Sequence, residues 1–223
     1  FNPASGDIET TQYISTLTAG VTPGIYVLGA ASNDTDEFDQ HIVAHEFLHY
    51  LEDEVSRADS VGGPHSLDER LDPRVAFSEG FANTFAAIAL DDPVYRDSYG
   101  VAQGRDFAFD MESSASSVPG WYNEASIQRI VWDLYDATNV TLGFAPIYDV
   151  LRTELRDGVP LASLFPFITA LKQRPGVPTA DVDARVEAER IAGTSLGIVS
   201  RTMDAYASTE THSGVAVTSA DLV

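Results

Sequence analysis

The segment HIVAHEFLHYLED, residues 41–53, decides both the fold and the chemistry of this chain. It holds three of the protein's five histidines, at positions 41, 45 and 49. Apolar residues recur with helical spacing at positions 43, 47, 50 and 51, which predicts an amphipathic helix from about residue 37 to residue 56. Because His45 and His49 stand one turn apart, their side chains project from the same side of this helix.

Residues 45–49 read HEFLH and match the motif H-E-x-x-H. Two imidazoles one turn apart can share a zinc ion at about 2.0–2.1 Å. Glu46 projects about 100° around the helix from His45, so it can reach a water beside the metal and act as general base. A short motif with two unspecified positions also arises by chance, and its histidines then only cap a helix or pack against neighbouring side chains. The predicted amphipathic helix favours the metal site.

A catalytic zinc ion needs a third protein ligand. The metzincin pattern is excluded, because it requires glycine and histidine where this chain has Glu52 and Val55. Glu79 is the preferred ligand, since Ala76 and Ala82 on the same strip of a second predicted helix allow close packing. The alternatives lie between the two helices or at the start of the second: His65, Asp68 and Asp72. Other polar residues of the first helix, Glu52 and Asp53, are expected to be solvated.

The predicted order of elements gives an α+β fold in one domain, residues 1–223. A strand at 24–30 and the helix at 37–56 form a small N-terminal lobe, residues 1–56. A mainly helical lobe, residues 57–200, follows, and residues 201–223 form a tail. The second lobe begins with a loop at 57–71 and a helix from Pro73, capped by Asp72, to about residue 90. A polar connection at 91–120 precedes predicted helices at 123–137, 145–157, 161–173 and 180–192.

Two local features of this order indicate further contacts. Gly80 lies inside the second helix, where glycine costs about 1 kcal/mol relative to alanine, so we expect a close approach to another element. The acidic segment NDTDEFD, residues 33–39, offers Asp34 or Asp36 as a helix N-cap, or ligands for a calcium ion.

The composition limits which kinds of molecule and metal ligand the chain can use. The chain has 34 acidic and 13 basic side chains, a net charge of -21, which argues against binding nucleic acid. It has no long apolar run of the kind that spans a membrane. It has no cysteine, so any metal must be held by histidine and carboxylate side chains. The lysine-poor, acidic composition and the start at Phe1 suggest a secreted or cell-envelope protein cut from a longer precursor.

These residues resemble the gluzincin metallopeptidases, with features of the fungalysin-like and thermolysin-like groups. The resemblance spans residues 25–135 and rests on HEFLH at 45–49, SEGFAN at 78–83 and VGGP at 61–64 between them. It implies a zincin-like fold, zinc held by His45, His49 and Glu79, and Glu46 as the base. It also implies that Asn83 accepts a hydrogen bond from a ligating histidine.

The same resemblance extends to GWYNEASIQRIVWDLY, residues 120–135, where the relatives have a histidine that stabilises the oxyanion. Tyr122 stands at that position, and Tyr148 is a reserve candidate. The expected activity is zinc-dependent hydrolysis of peptide bonds in polypeptides by an endopeptidase. Two alternatives are an aminopeptidase of the same clan and a catalytically silent, zinc-containing binding or scaffold module.

Overall fold

A computed structural model of the chain describes residues 8, 10–15, 20–30, 33–113, 115–137 and 140–191. The predicted tail at 201–223 lies outside these residues. The described part combines helices with small antiparallel sheets, so the predicted α+β class is confirmed. None of the described helices is long and apolar enough to cross a membrane.

The chain divides into two compact units. The first comprises Phe1–Glu54 with Phe81–Ser114, and the second comprises Val55–Gly80 with Ala115–Val223. The lobes expected from the sequence followed one another along the chain, whereas residues 81–114 group with the N-terminal segment. Contacts within the first unit explain this grouping, since Phe47 packs near Phe85 with ring centroids 6.3 Å apart.

The described residues of the first unit form three two-stranded antiparallel sheets. The predicted strand at 24–30 is interrupted, and its two ends pair with different partners. The pairs are β1 (Gln12–Ile14) with β2 (Gly24–Tyr26), β3 (Gly29–Ala30) with β4 (Asp34–Thr35), and β5 (Val94–Tyr99) with β6 (Arg105–Asp110).

The active-site helix predicted from the sequence is α1 (Gln40–Val55). The backbone N–H of Val43 donates to the carbonyl of Asp39 at 3.2 Å, which marks the first turn. The predicted N-caps are therefore wrong: Asp34 belongs to β4, and Asp36 begins a short 3-10 turn that precedes the helix.

The second helix, α2 (Pro73–Leu90), begins as predicted. Oδ1 of Asp72 accepts a hydrogen bond from the backbone N–H of Arg74 at 2.9 Å, and proline at the first helical position loses no bond there. The division between the two units falls inside this helix, after Gly80.

The predicted polar connection at 91–120 is wrong over its first part, because β5 and β6 form a regular hairpin with six paired positions. Tyr95 and Phe109 face one another in this register and stack with ring centroids 4.8 Å apart. They are the buried side chains of two strands that otherwise carry mostly polar or exposed residues. The hairpin therefore buries one cross-strand aromatic pair rather than a continuous apolar face.

Helices dominate the second unit, as predicted. A short π-helical turn, Leu151–Leu155, extends the helix that begins at Phe144. Asn123 caps the helix that begins at Glu124, because its side chain accepts a hydrogen bond from the backbone N–H of Ser126 at 3.0 Å. Phe77 of α2 packs against Phe167, with ring centroids 5.6 Å apart, in the core of this unit. The four described helices that follow the polar connection are α3 (Glu124–Asp136), α4 (Phe144–Val150), α5 (Leu164–Lys172) and α6 (Thr179–Ala188).

Candidate metal centre

The buried face of α1 is polar. Four of its five buried residues are His41, His45, Glu46 and Glu52, and the fifth is Leu48. Polar side chains are costly to bury unless they find partners. His45, Glu46 and Glu52 have hydrogen-bond partners, whereas Nε2 of His41 has none among the described residues. The expectation that Glu52 is solvated is wrong, because this side chain is 6% exposed.

The ring nitrogens of His45 and His49 have two separate environments. The two Nε2 atoms lie 3.1 Å apart. Nδ1 of His45 lies 2.9 Å from Oδ1 of Asn83, and Nδ1 of His49 lies 3.4 Å from Oε2 of Glu52. Because these oxygens accept hydrogen bonds, each Nδ1 carries the hydrogen and each Nε2 keeps a lone pair. The hydrogen bond that the sequence predicted for Asn83 is present.

This arrangement fits one shared metal ion. Two nitrogens at about 2.0–2.1 Å from a tetrahedral zinc ion lie about 3.3 Å from each other, close to the observed Nε2 separation. Histidine ligands in metal sites also donate their other N–H to an amide or carboxylate oxygen, which fixes the tautomer. Both features are present for His45 and for His49.

Glu79 is the candidate carboxylate ligand. It is 7% exposed and precedes Asn83 by one turn of α2, so the two side chains share one face of that helix. One ligand atom from each of His45, His49 and Glu79 lies within 4.8 Å of the other two. Two imidazole nitrogens and one carboxylate oxygen form a donor set that catalytic zinc sites use, with a further position open.

Glu46 is anchored by β1. Its Oε2 accepts a hydrogen bond from the backbone N–H of Tyr13 at 2.6 Å. The hydroxyl of Tyr13 donates to Oδ2 of Asp53, also at 2.6 Å, so Asp53 has a partner on β1 rather than water alone. Burial, with the hydrogen bond to Asp53, raises the pKa of Tyr13 above its usual value. The tyrosine therefore stays protonated and keeps donating.

The alternative third ligands have other partners. Nε2 of His65 lies 3.3 Å from Oε2 of Glu79. Asp68 accepts a hydrogen bond from the Ser117 hydroxyl at 2.6 Å, and Asp72 caps α2. Of these three residues, His65 is the one that contacts the histidine and glutamate set, through Glu79.

The two tyrosines proposed as oxyanion donors are packed among other groups. Tyr122 is 2% exposed, its hydroxyl lies 3.4 Å from the carbonyl oxygen of Pro119, and the Arg70 guanidinium lies 5.1 Å from its ring centroid. Tyr148 packs against Phe144 with ring centroids 5.6 Å apart. For both tyrosines, the oxyanion role stays a prediction from the resemblance.

A second acidic group lies in the first unit. One carboxylate oxygen from each of Asp34, Asp36 and Asp97 lies within 4.8 Å of the other two. The hydroxyl of Thr11 also donates to Asp36. Burial, together with the neighbouring negative charges, raises the pKa of Asp36 and of Asp97 to about 6. The cluster brings two aspartates of the acidic segment 33–39 together with Asp97, and calcium binding by this segment stays a prediction.

Sequence reasoning missed two carboxylates that contact the site. Glu52 stands three residues after His49, a helical spacing that places the two side chains together and that would have identified it. Glu124 is 59 residues from His65, yet its Oε2 lies 2.6 Å from Nδ1 of that histidine. No local pattern indicates such a contact, because it depends on where the loop crosses α3.

Comparison with known families gives one match. The family model described as the mycolysin C-terminal domain matches residues 17–150, more than half of the chain, and this segment includes His45, His49 and Glu79. The domain is found in proteins of the thermolysin-like peptidase family. Neither a curated protein nor a solved structure matches the chain.

Proposed function

The chain belongs to the mycolysin C-terminal domain family, which gives it a protease context, and we propose that it is itself a zinc-dependent peptidase. The observation that carries this proposal is the pair of Nε2 atoms 3.1 Å apart, with both Nδ1 atoms occupied by other acceptors. Packing or capping alone would not require His45 and His49 to turn the same ring nitrogen to one point. The substrate is a polypeptide, cut at internal bonds.

In this proposal His45, His49 and Glu79 hold the zinc ion, which supplies Lewis acidity that activates water and polarises a carbonyl group. Glu46 takes a proton from the attacking water and passes it to the departing amine. The carbon–nitrogen bond breaks, the oxygen of water joins the carbonyl carbon, and the amine leaves with the proton. Tyr122 is the candidate donor to the developing oxyanion.

The contact between Glu46 and β1 supports the role of this residue as base. Because Oε2 is fixed by the backbone N–H of Tyr13, the carboxylate has one preferred orientation and its other oxygen stays available for a proton. A site that only holds a metal has no use for an oriented carboxylate that is not a ligand.

We further propose that the protein is exported to the cell envelope or secreted. The mycolysin domain usually belongs to secreted proteases, and the chain contains 34 acidic side chains against 13 basic ones. Localisation of the protein by cell fractionation would test this, and a purely cytosolic protein would contradict it.

The test of the peptidase compares the parent with Glu46→Gln and Glu54→Gln. Glutamine retains an oxygen that can accept from Tyr13, so the first variant keeps the contact with β1 while losing the base. Glu54 is exposed on the same helix, and its substitution makes the same change in charge. Zinc content is measured together with cleavage of an unfolded protein and of peptides with blocked ends.

We expect all three proteins to bind one zinc ion, and Glu46→Gln to cleave about 10²- to 10⁴-fold more slowly than the parent and Glu54→Gln. If zinc is bound and none of them cleaves, the protein is a zinc-containing binding or scaffold module. If only peptides with a free amino terminus are cleaved, it is an aminopeptidase. If the parent binds no zinc, the proposal fails.

A further inference from the structure

His65 lies between two carboxylates. Its Nδ1 is 2.6 Å from Oε2 of Glu124, and its Nε2 is 3.3 Å from Oε2 of Glu79. Both carboxylate side chains are buried, whereas that of His65 is 29% exposed. Carboxylate oxygens accept hydrogen bonds, so each ring nitrogen of His65 faces an acceptor. One ring therefore connects the candidate metal ligand to a second, buried acid.

The loop that carries His65 is fastened to the start of α3. The side-chain amide of Asn123 donates to the carbonyl oxygens of Leu67 and Glu69, at 2.7 and 3.0 Å. Asn123 is fully buried and also caps the helix. Two backbone carbonyls of the loop are thus held by one immobile side chain, which fixes the path of the chain just after His65.

The start of α3 is also held against α2. A Cβ atom on Gly80 would lie 2.5 Å from the carbonyl oxygen of Glu124 and 2.7 Å from Cβ of Ile127, so only glycine permits this approach. Glu79 belongs to α2 and Glu124 to α3, the two helices that meet at Gly80. His65 therefore contacts two residues whose positions are set by a direct helix-to-helix contact.

We propose that His65 is a positioning residue for the metal centre: Glu124 fixes its ring, and its Nε2 holds one oxygen of Glu79 so that the other faces the zinc ion. This inference rests on the proposed function, because it requires Glu79 to be a ligand. A carboxylate without such a contact rotates about its last bond and binds a metal in several ways. Removing an outer partner of this kind typically lowers metal affinity about 10- to 100-fold.

The experiment measures zinc affinity of the full chain by competition with a chelator, for the parent, His65→Ala, Glu124→Gln and the double variant. The visible absorption of the Co²⁺-loaded proteins reports the ligand geometry independently of activity. Glu189→Gln is the matched control, since Glu189 is a buried carboxylate of the same unit that accepts from the Ser126 hydroxyl at 2.7 Å.

We expect His65→Ala to weaken zinc binding about 10- to 100-fold and to change the cobalt spectrum. Glu124→Gln should weaken zinc binding in the parent and have no effect in the His65→Ala background, because it acts through the ring. Glu189→Gln should leave both readouts unchanged.

Two results would overturn the inference while the peptidase proposal stands. The first is parental zinc affinity, or tighter binding, in His65→Ala. The second is an effect of Glu124→Gln that is the same in both backgrounds. A parent that binds no zinc would overturn the proposed function and this inference with it.

Discussion

At the scale of single residues, the candidate centre depends on Asn83. Its Oδ1 accepts from Nδ1 of His45 at 2.9 Å and so selects the tautomer whose Nε2 can bind a metal. We predict that Asn83→Ala lowers zinc affinity about 10- to 100-fold, since the ring loses its fixed orientation. Competition between the protein and a chelator of known zinc affinity measures the loss.

Asn83→Asp is the control for this prediction. A carboxylate also accepts from Nδ1 of His45 and adds a negative charge near the cation, so this variant should bind zinc at least as tightly as the parent. If the alanine and aspartate variants bind zinc equally well, Asn83 does not orient the histidine.

The site residues differ in how far the sequence could predict them. His45 and His49 follow from spacing within α1, because the geometry of a helix is local and regular. The role of Asn83, which lies in α2, was expected from the family resemblance. The contact of His65 with Glu124 depends on the path of an irregular loop that closes a separation of 59 residues. Tertiary packing sets that path, and periodicity within the sequence carries no record of it.

At the scale of elements, Gly80 determines how closely α2 approaches α3. Alanine is the better helix former by about 1 kcal/mol, so propensity alone would make Gly80→Ala stabilising. Its Cβ, however, would meet the backbone oxygen of Glu124 at 2.5 Å. We predict a net loss of about 1–3 kcal/mol in the free energy of unfolding, measured by urea denaturation.

Ala89→Gly is the matched control for the glycine prediction. Ala89 is exposed near the end of the same helix, so its replacement changes helix propensity without affecting packing and should cost up to about 1 kcal/mol. A Gly80→Ala variant as stable as the parent would mean that the two helices move apart at no cost.

The elements themselves were predictable where apolar residues repeat. Apolar residues recur with helical spacing in α1 and α3, whereas α2 is buried on nearly all sides and was predictable from its Asp72–Pro73 start. The β5–β6 hairpin was missed because its two strands are largely exposed and the stacked pair of Tyr95 and Phe109 lies 14 residues apart in sequence. A hairpin with one buried pair gives no alternating apolar pattern to detect.

Two buried aspartates make the stability of the folded protein depend on pH. They lie where β5 meets the segment before α1. Burial raises the pKa of Asp36 and Asp97 to about 6, above the ordinary value of 3.8 that applies in the unfolded chain. The folded state therefore holds these protons more tightly than the unfolded state. The stabilisation that these bound protons give to the folded state is complete below about pH 4, and it is lost as the pH rises through about 6.

We predict that Asp97→Asn becomes progressively more stable than the parent between pH 4 and pH 7.5, because asparagine cannot ionise. Thermal melting at several pH values measures the difference. Asp106→Asn, an exposed change on the neighbouring strand, is the control for altered net charge. A difference in melting temperature that stays constant with pH would contradict the prediction. Repeating the melts with calcium tests the calcium expectation, which requires stabilisation of the parent but not of the variant.

At the scale of the whole molecule, the excess of acidic side chains dominates the electrostatics. The net charge is -21, and many basic side chains among the described residues already stand within ion-pair distance of a carboxylate. Examples are Arg57 with Asp59, Arg129 with Glu189, Lys172 with Asp183 and Arg185 with Asp133. The pairing leaves a large negative charge without compensation, and this charge favours expansion of the chain.

Salt should therefore stabilise the protein. Raising the ionic strength from 0.01 to 0.1 M shortens the screening length from about 30 to about 10 Å, which weakens repulsion between distant carboxylates more than it weakens ion pairs in contact. Exposed ion pairs contribute only about 0–1 kcal/mol each. Weakening them therefore costs less stability than the protein gains from weaker repulsion between its carboxylates. We predict that the melting temperature rises over this range, equally in sodium chloride and potassium chloride, because the effect is screening and not specific binding. A fall in melting temperature would mean that the ion pairs outweigh the repulsion.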